Sequence, residues 1–177
     1  IMPGFWRLVG WWSHYRRLLG IGLLLGIAGN EASAGMFGLG KKYEVQLFPV
    51  VEGRITKNGE PQPGVTVIRE ATYDDAEVQE TVTGPDGRFS FPPWTIRSRT
   101  PGKAFVEDRL RQVVVVKHEG DQYLLWYYVT GRIDGEQVIA EKLGALNCDL
   151  NDEEIDYHFP MVENPSFTHN LASICRW

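Results

Sequence analysis

Arg88-Phe89-Ser90-Phe91 follows directly on Gly84-Pro85-Asp86-Gly87. In extended chain, residues two apart point to the same side. The two phenylalanines therefore commit one face of a strand to a core, just after a tight turn. The same grammar fills residues 43–130. Short runs of β-branched and aromatic residues are separated by turn signals at about 8–12-residue intervals, the spacing of an antiparallel β-sandwich.

The first strand or strand pair runs from Tyr43 to Thr56 and is interrupted by Pro49, which suits an edge or a crossover. Asn58-Gly59 is a turn, because both residues tolerate positive φ. Val65 to Arg69 is the next strand, with Val65 and Val67 on one face. Glu77 to Thr83 alternates around Val78 and Val82, and Asp86-Gly87 is expected to close a hairpin onto Phe89 and Phe91. Pro92-Pro93 stops that strand. Residues 95–111 are charged and less regular. Gln112–Lys117 and Tyr123–Thr130 form a hairpin. Trp126, Tyr127 and Tyr128 are adjacent, so their rings must divide between the two faces of a sheet. One short helix is expected around Glu136–Leu143. The fold class is thus mostly β, an antiparallel β-sandwich.

Residues 1–34 differ from the rest. They carry three arginines, an apolar run from Leu18 to Ala28 directly after Arg16-Arg17, and Ala32-Ser33-Ala34. This is the pattern of a secretory signal peptide cleaved after Ala34. The eleven apolar residues are fewer than the roughly 20 that cross a bilayer. An uncleaved anchor is the alternative, supported by Trp6, Trp11 and Trp12. The expected organisation is a signal segment (1–34), a flexible N-terminus (35–42), and a sandwich domain (43–177) with a C-terminal extension from about residue 131.

Without residues 1–34 the chain keeps 15 Lys+Arg against 22 Asp+Glu, a net charge of -7. That argues against general nucleic-acid binding, which needs a basic face. Cys148 and Cys175 both lie in the exported part. In an oxidising compartment they are expected to pair and tie the C-terminal tail down. The localisation implied is periplasmic or secreted.

Chemistry-bearing motifs are sparse. There is no G-x-S-x-G and no phosphate-binding glycine loop. His118, His158 and His169 show no ligand spacing, and each reads as an exposed histidine. No enzyme activity, metal or cofactor is expected. Asp149, Asp152, Glu153, Glu154 and Asp156 place five carboxylates within eight residues. The run reads as a solvated loop, a protein-contact patch or, third, a calcium site; it lacks the calcium-loop glycine and terminal glutamate. As a contact patch it would steer a basic partner. Trp94, after Pro92-Pro93, is the best candidate for an exposed binding aromatic.

Two stretches resemble a known family. Gly53 to Val67 resembles the opening of carboxypeptidase-regulatory-like, transthyretin-like sandwich domains: a G-x-V strand, a turn with G-x-P, then G-x-x-V. Thr83 to Phe91 is similar to their second signature, T-x-x-D-G-x-F-x-F. The resemblance covers roughly residues 50–92. It implies a transthyretin-like Greek-key sandwich and a binding, spacing or accessory role. The enzymatic hydroxyisourate-hydrolase branch ends in Tyr-Arg-Gly-Ser, a motif this sequence lacks, and is disfavoured. A signal segment, one such sandwich and a cysteine-tied tail are similar to small Gram-negative envelope proteins, some of them immunity proteins. The expected function is non-catalytic binding by protein contact in the periplasm, most concretely immunity-type inhibition of a toxin or hydrolase. A carbohydrate- or envelope-binding module using Trp94 is the alternative. No nucleic-acid partner is expected, and membrane contact only through an uncleaved anchor.

Overall fold

The computed structural model describes residues 41–177. The expected signal or anchor segment, and all but the last two residues of the expected flexible N-terminus, lie outside the described residues. Among the described residues the chain forms twelve strands and one α-helix. In chain order these are β1 (Tyr43–Phe48), β2 (Val51–Lys57), β3 (Glu60–Pro61), β4 (Thr66–Thr72), β5 (Ala76–Val82), β6 (Arg88–Phe91) and β7 (Trp94–Ser98). They continue as β8 (Leu110–His118), β9 (Asp121–Thr130), α1 (Gln137–Leu143), β10 (Leu146–Asp149), β11 (Ile155–Pro160) and β12 (Thr168–Ser173).

The largest sheet has six strands in the order β11-β12-β9-β8-β4-β5, all neighbours antiparallel. The expected hairpin across residues 112–130 is the β8–β9 pair at its centre. Adjacent Leu125 and Trp126 are both fully buried, because the pairing shifts by one residue between Val114↔Trp126 and Val115↔Leu124. This bulge re-aims the strand. Tyr128 is buried and Tyr127 exposed, as their alternation requires.

A second sheet centres on β2, with β10 on one side and β3 and β6 on the other. Asn58 (φ 54) and Gly59 (φ 80) make the tight β2–β3 turn. β1 pairs with β7 as Phe48↔Trp94, and β2 pairs with β6 as Val51↔Phe91. The three steps from 48 to 51 match the three from 91 to 94. The two ladders are therefore in one register, interrupted at Pro49 and at Pro92-Pro93, which cannot donate ladder hydrogen bonds.

Three expectations change. The β10–β2 pair is parallel, not antiparallel, because β10 arrives by a crossover through α1. Gly84-Pro85-Asp86-Gly87 closes no hairpin: β5 pairs with β4 while β6 pairs with β2. The turn instead carries the chain from the six-stranded sheet to the β2 sheet. Gly87 (φ 75) abuts the Ile55 carbonyl, so a side chain there would collide with β2. Residues 94–98 form a regular strand rather than an irregular segment. β5 forms as expected from the alternation around Val78 and Val82, and as the outer strand it leaves both exposed.

All sheets contribute to one apolar core. It includes Val45, Leu47 and Phe48 of β1, Val51 and Ile55 of β2, Val67 of β4, Phe89 and Phe91 of β6, and Leu110, Val114 and Val116 of β8. Leu125 and Trp126 join from β9, and Ile139 and Leu143 from α1, whose i,i+4 spacing puts them on one side. One inward position is not apolar. Val65, Val67, Arg69 and Ala71 share a face of β4, and the Arg69 side chain is fully buried.

Its guanidinium donates to Gln79 Oε1 (3.0 Å from Nε) and to the Pro92 carbonyl (2.8 Å). It also lies 5.4 Å from the Phe48 ring centroid, 4.7 Å from Phe91 and 5.1 Å from Trp94. Burial lowers its pKa to about 10, so it stays charged at neutral pH. Replacing Arg69 by Ala removes this plug, orphans Gln79 and the Pro92 carbonyl, and leaves a void among three rings. We expect a loss of about 3–5 kcal/mol in urea unfolding at pH 7. An unchanged midpoint would refute the role assigned to this cation.

Candidate functional site

The residues anticipated from sequence divide into two groups in space. Cys148 and Cys175 form a disulfide, both fully buried. Cys148 sits in β10, paired with Ile55 of β2, and Cys175 follows β12. The bond thus links the β2 sheet to the end of the six-stranded sheet. Closing 27 residues of chain is worth roughly 3–4 kcal/mol by loop entropy.

The acidic run begins at the end of β10, and its first member, Asp149, is half-buried against the β2–β3 turn. The Asp149 carboxylate accepts from the amides of Gly59 (2.8 Å), Asn58 (3.1 Å) and Asn151 (3.0 Å), and from the Thr56 hydroxyl (2.9 Å). It is the cap of the β2–β3 turn. Burial pushes its pKa up, but these four donors together pull it down to about 2.

Asp152 stands 3.9 Å from Arg176 Nε. Arg176 also donates to the carbonyls of Glu153 (3.2 Å) and Ile174 (2.7 Å) and to the Tyr157 hydroxyl (3.1 Å). Two anchors therefore hold the run, Asp149 at its start and Arg176 beneath its middle. Glu153, Glu154 and Asp156 remain exposed, with no ion pair among the described residues. Asp156 lies on β11, the outer strand of the six-stranded sheet. Exposed Ile155 sits between Glu154 and Asp156. Behind β11, Tyr157, Phe159 and Trp177 pack at centroid distances of 4.9–5.6 Å. The Trp177 indole N–H donates to the Lys142 carbonyl (2.8 Å). The edge is thus backed by a fixed aromatic cluster.

Trp94 is not the exposed aromatic expected. It is half-buried, with its ring nearly parallel to Phe48 (6.3 Å, 12°) and the Arg69 guanidinium over it. Part of its ring surface is thereby engaged in packing.

His169 also departs from expectation: it is 1% exposed. Tyr128 Oη lies 2.8 Å from His169 Nδ1 and donates to Glu136 Oε2 at 2.9 Å. Glu136 Oε1 is 3.6 Å from Nδ1, and Glu163 Oε2 is 3.9 Å from Nε2. Burial first, then the Glu136 carboxylate, raises the Tyr128 pKa. Glu163 accepts from the Gln137 amide (2.8 Å), which caps α1 and lowers the Glu163 pKa. This cluster joins β9, α1 and β12. The cavity lined by Glu136 has a volume of about 10 Å³, room for one water and no substrate. The cluster's members come from two stretches, 128–136 and 163–169, that are remote from each other in sequence. The available signal was the alternation of His169, Leu171 and Ser173 on the inward face of β12. Among the described residues, no three His, Cys, Asp or Glu side chains converge to hold a metal ion.

These features define a mostly β, disulfide-tied protein with a displayed acidic edge. Residues 51–153, more than half the chain, match a family described as a domain of unknown function (DUF6795), and the chain belongs to that family. No curated protein and no solved structure matches it.

Asp149 yields a prediction with a defined sign. A carboxyl whose pKa is depressed in the fold contributes stability above its ordinary value of 3.8 and loses it as pH falls toward about 2. Asp149→Asn points an amide N–H₂ at backbone donors. It should cost about 2 kcal/mol at pH 6, and the gap from the parent should close between pH 4 and pH 2. Thermal unfolding across that range checks this; a gap independent of pH contradicts it.

Proposed function

We propose that this chain is an exported, non-catalytic binding protein that acts by protein contact in the periplasm. Its most concrete form is an immunity-type inhibitor that blocks a toxin or hydrolase. The supporting observation is the way Glu153, Glu154 and Asp156 are displayed. They project from a turn and an edge strand that are fixed by a disulfide, by Asp149 and by Arg176. Preorganised charge costs little entropy on binding, and a dense acidic patch speeds association with a basic partner. The unpaired backbone edge of β11 adds a surface on which a partner strand can pair. Trp94, half-buried against Phe48 and Arg69, gives less support to the glycan-binding alternative. The shared core of the sheets supports reading them as the layers of a Greek-key, transthyretin-like sandwich, with this edge as its working rim.

Crosslinking in the periplasm followed by mass spectrometry tests the proposal. The parent chain should capture a basic protein that the triple charge reversal E153K/E154K/D156K does not. A charge reversal elsewhere, on β5 (E77K/E80K), should leave capture intact. Identical capture by parent and triple variant, or none by the parent, would remove the reading.

A further inference from the structure

The chain also gathers positive charge, at residues outside the acidic edge. Of its 18 lysines and arginines, three precede residue 41; of the other fifteen, five line one open cavity of about 540 Å³. They are Lys42, Arg97, Arg99, Lys103 and Arg109. They come from separate places: the residue before β1, the end of β7, the segment after it, and the residue before β8. None of the five makes an ion pair with a described residue, whereas Lys57, Arg88, Arg111, Arg132 and Arg176 all do.

Two of the nearby acids are already engaged, while Glu44 stands opposite Arg97 in the β1–β7 ladder without an ion pair to it. Asp74 accepts from the Thr100 hydroxyl at 2.6 Å, and the Tyr73 hydroxyl donates to Asp108. Thr100 is fixed in turn, because its amide donates to the buried Ser98 Oγ at 2.9 Å. Only Glu107 lines the cavity as a further carboxylate. Five cations against Asp74 and Glu107 leave a local excess of positive charge in a protein that is otherwise acidic. Concentrated charge of this kind in a concavity focuses the field on anions.

We propose that this groove is a binding site for a small polyanion carrying two or more phosphate or carboxylate groups. Three of the five cations are arginines, whose planar forks present paired donors to such groups. Arg97 and Arg99 flank the Ser98–Thr100–Asp74 hydrogen bonds, which hold the floor between them. Arg109 and Lys103 come from the other side of the segment. A singly charged anion would meet one or two of these side chains, while a polyanion can engage most of them together. The site is independent of the acidic edge, so either can fail without the other.

Titration calorimetry of the full chain with tripolyphosphate and, separately, citrate tests this. Saturable one-to-one binding of at least one probe is expected. Comparing the two identifies phosphate or carboxylate as the preferred group. The R97Q/R99Q/R109Q variant should bind at least tenfold more weakly, while R54Q/R88Q/K117Q, which removes the same charge elsewhere, should match the parent. Should the first variant unfold, amide shifts of the parent on titration must fall at residue 42 and within residues 73–74 and 97–109. No saturable binding of either probe, equal weakening in both variants, or shifts centred elsewhere would overturn the site.

Discussion

A charged guanidinium in the core is the constraint around which the sheets are arranged. A cation without a carboxylate partner is costly to bury unless its donors are met. Arg69 meets that requirement with Gln79 on the neighbouring strand β5, the Pro92 carbonyl and three aromatic faces. Pro92 lies in the gap between β6 and β7, where the ladder has no pairing. The proline break thus supplies an acceptor that an unbroken ladder would have used. Phe48 and Trp94 on one side of the break, and Phe91 on the other, are drawn to the same point. One side chain of the six-stranded sheet thereby aligns β1–β7 with β2–β6.

The C-terminal third closes the structure by different means. The disulfide joins β10 to the end of β12, Asp149 caps the β2–β3 turn, and Arg176 reaches beneath the acidic run. Each contact spans segments remote in sequence, so the ordering entropy is offset by a few strong ties rather than by a long ladder. The result is an edge whose carboxylates differ in kind. Asp149 is consumed by structure and Asp152 faces Arg176, while Glu153, Glu154 and Asp156 face solvent. The cationic groove is assembled in the same way, from cations two of whose neighbouring carboxylates, Asp74 and Asp108, are held by hydroxyl groups. A chain of net charge -5 thus presents two local fields of opposite sign.

Much of the β architecture was legible because strands and turns are local. The Asn58-Gly59 turn, the break at Pro49, the hairpin from Gln112 to Thr130, the short helix near 137–143 and the burial of Phe89 and Phe91 all follow from residues within a few positions of one another. The errors share one cause. Asp86-Gly87 reads as a hairpin because a tight turn does not specify whether its strands pair or part into different sheets. Trp94 reads as exposed because its cover, Arg69 and Phe48, is 25 and 46 positions away. His169 reads as exposed because Tyr128, Glu136 and Glu163 meet it only after β9, α1 and β12 have packed.

By itself, the sequence determined most of the strands and turns between residues 43 and 130, the short helix, the presence of Cys148 and Cys175 in the C-terminal part of the chain, and the density of acid between residues 149 and 156. These depend on φ preferences, two-residue alternation and composition, which the chain carries without reference to its fold. Only the tertiary structure decided which carboxylates are spent and which displayed. It also decided that an arginine on β4 is a core residue, and that five scattered cations border one cavity. Such outcomes depend on which remote donors and acceptors are brought within hydrogen-bonding distance, and no local pattern encodes them.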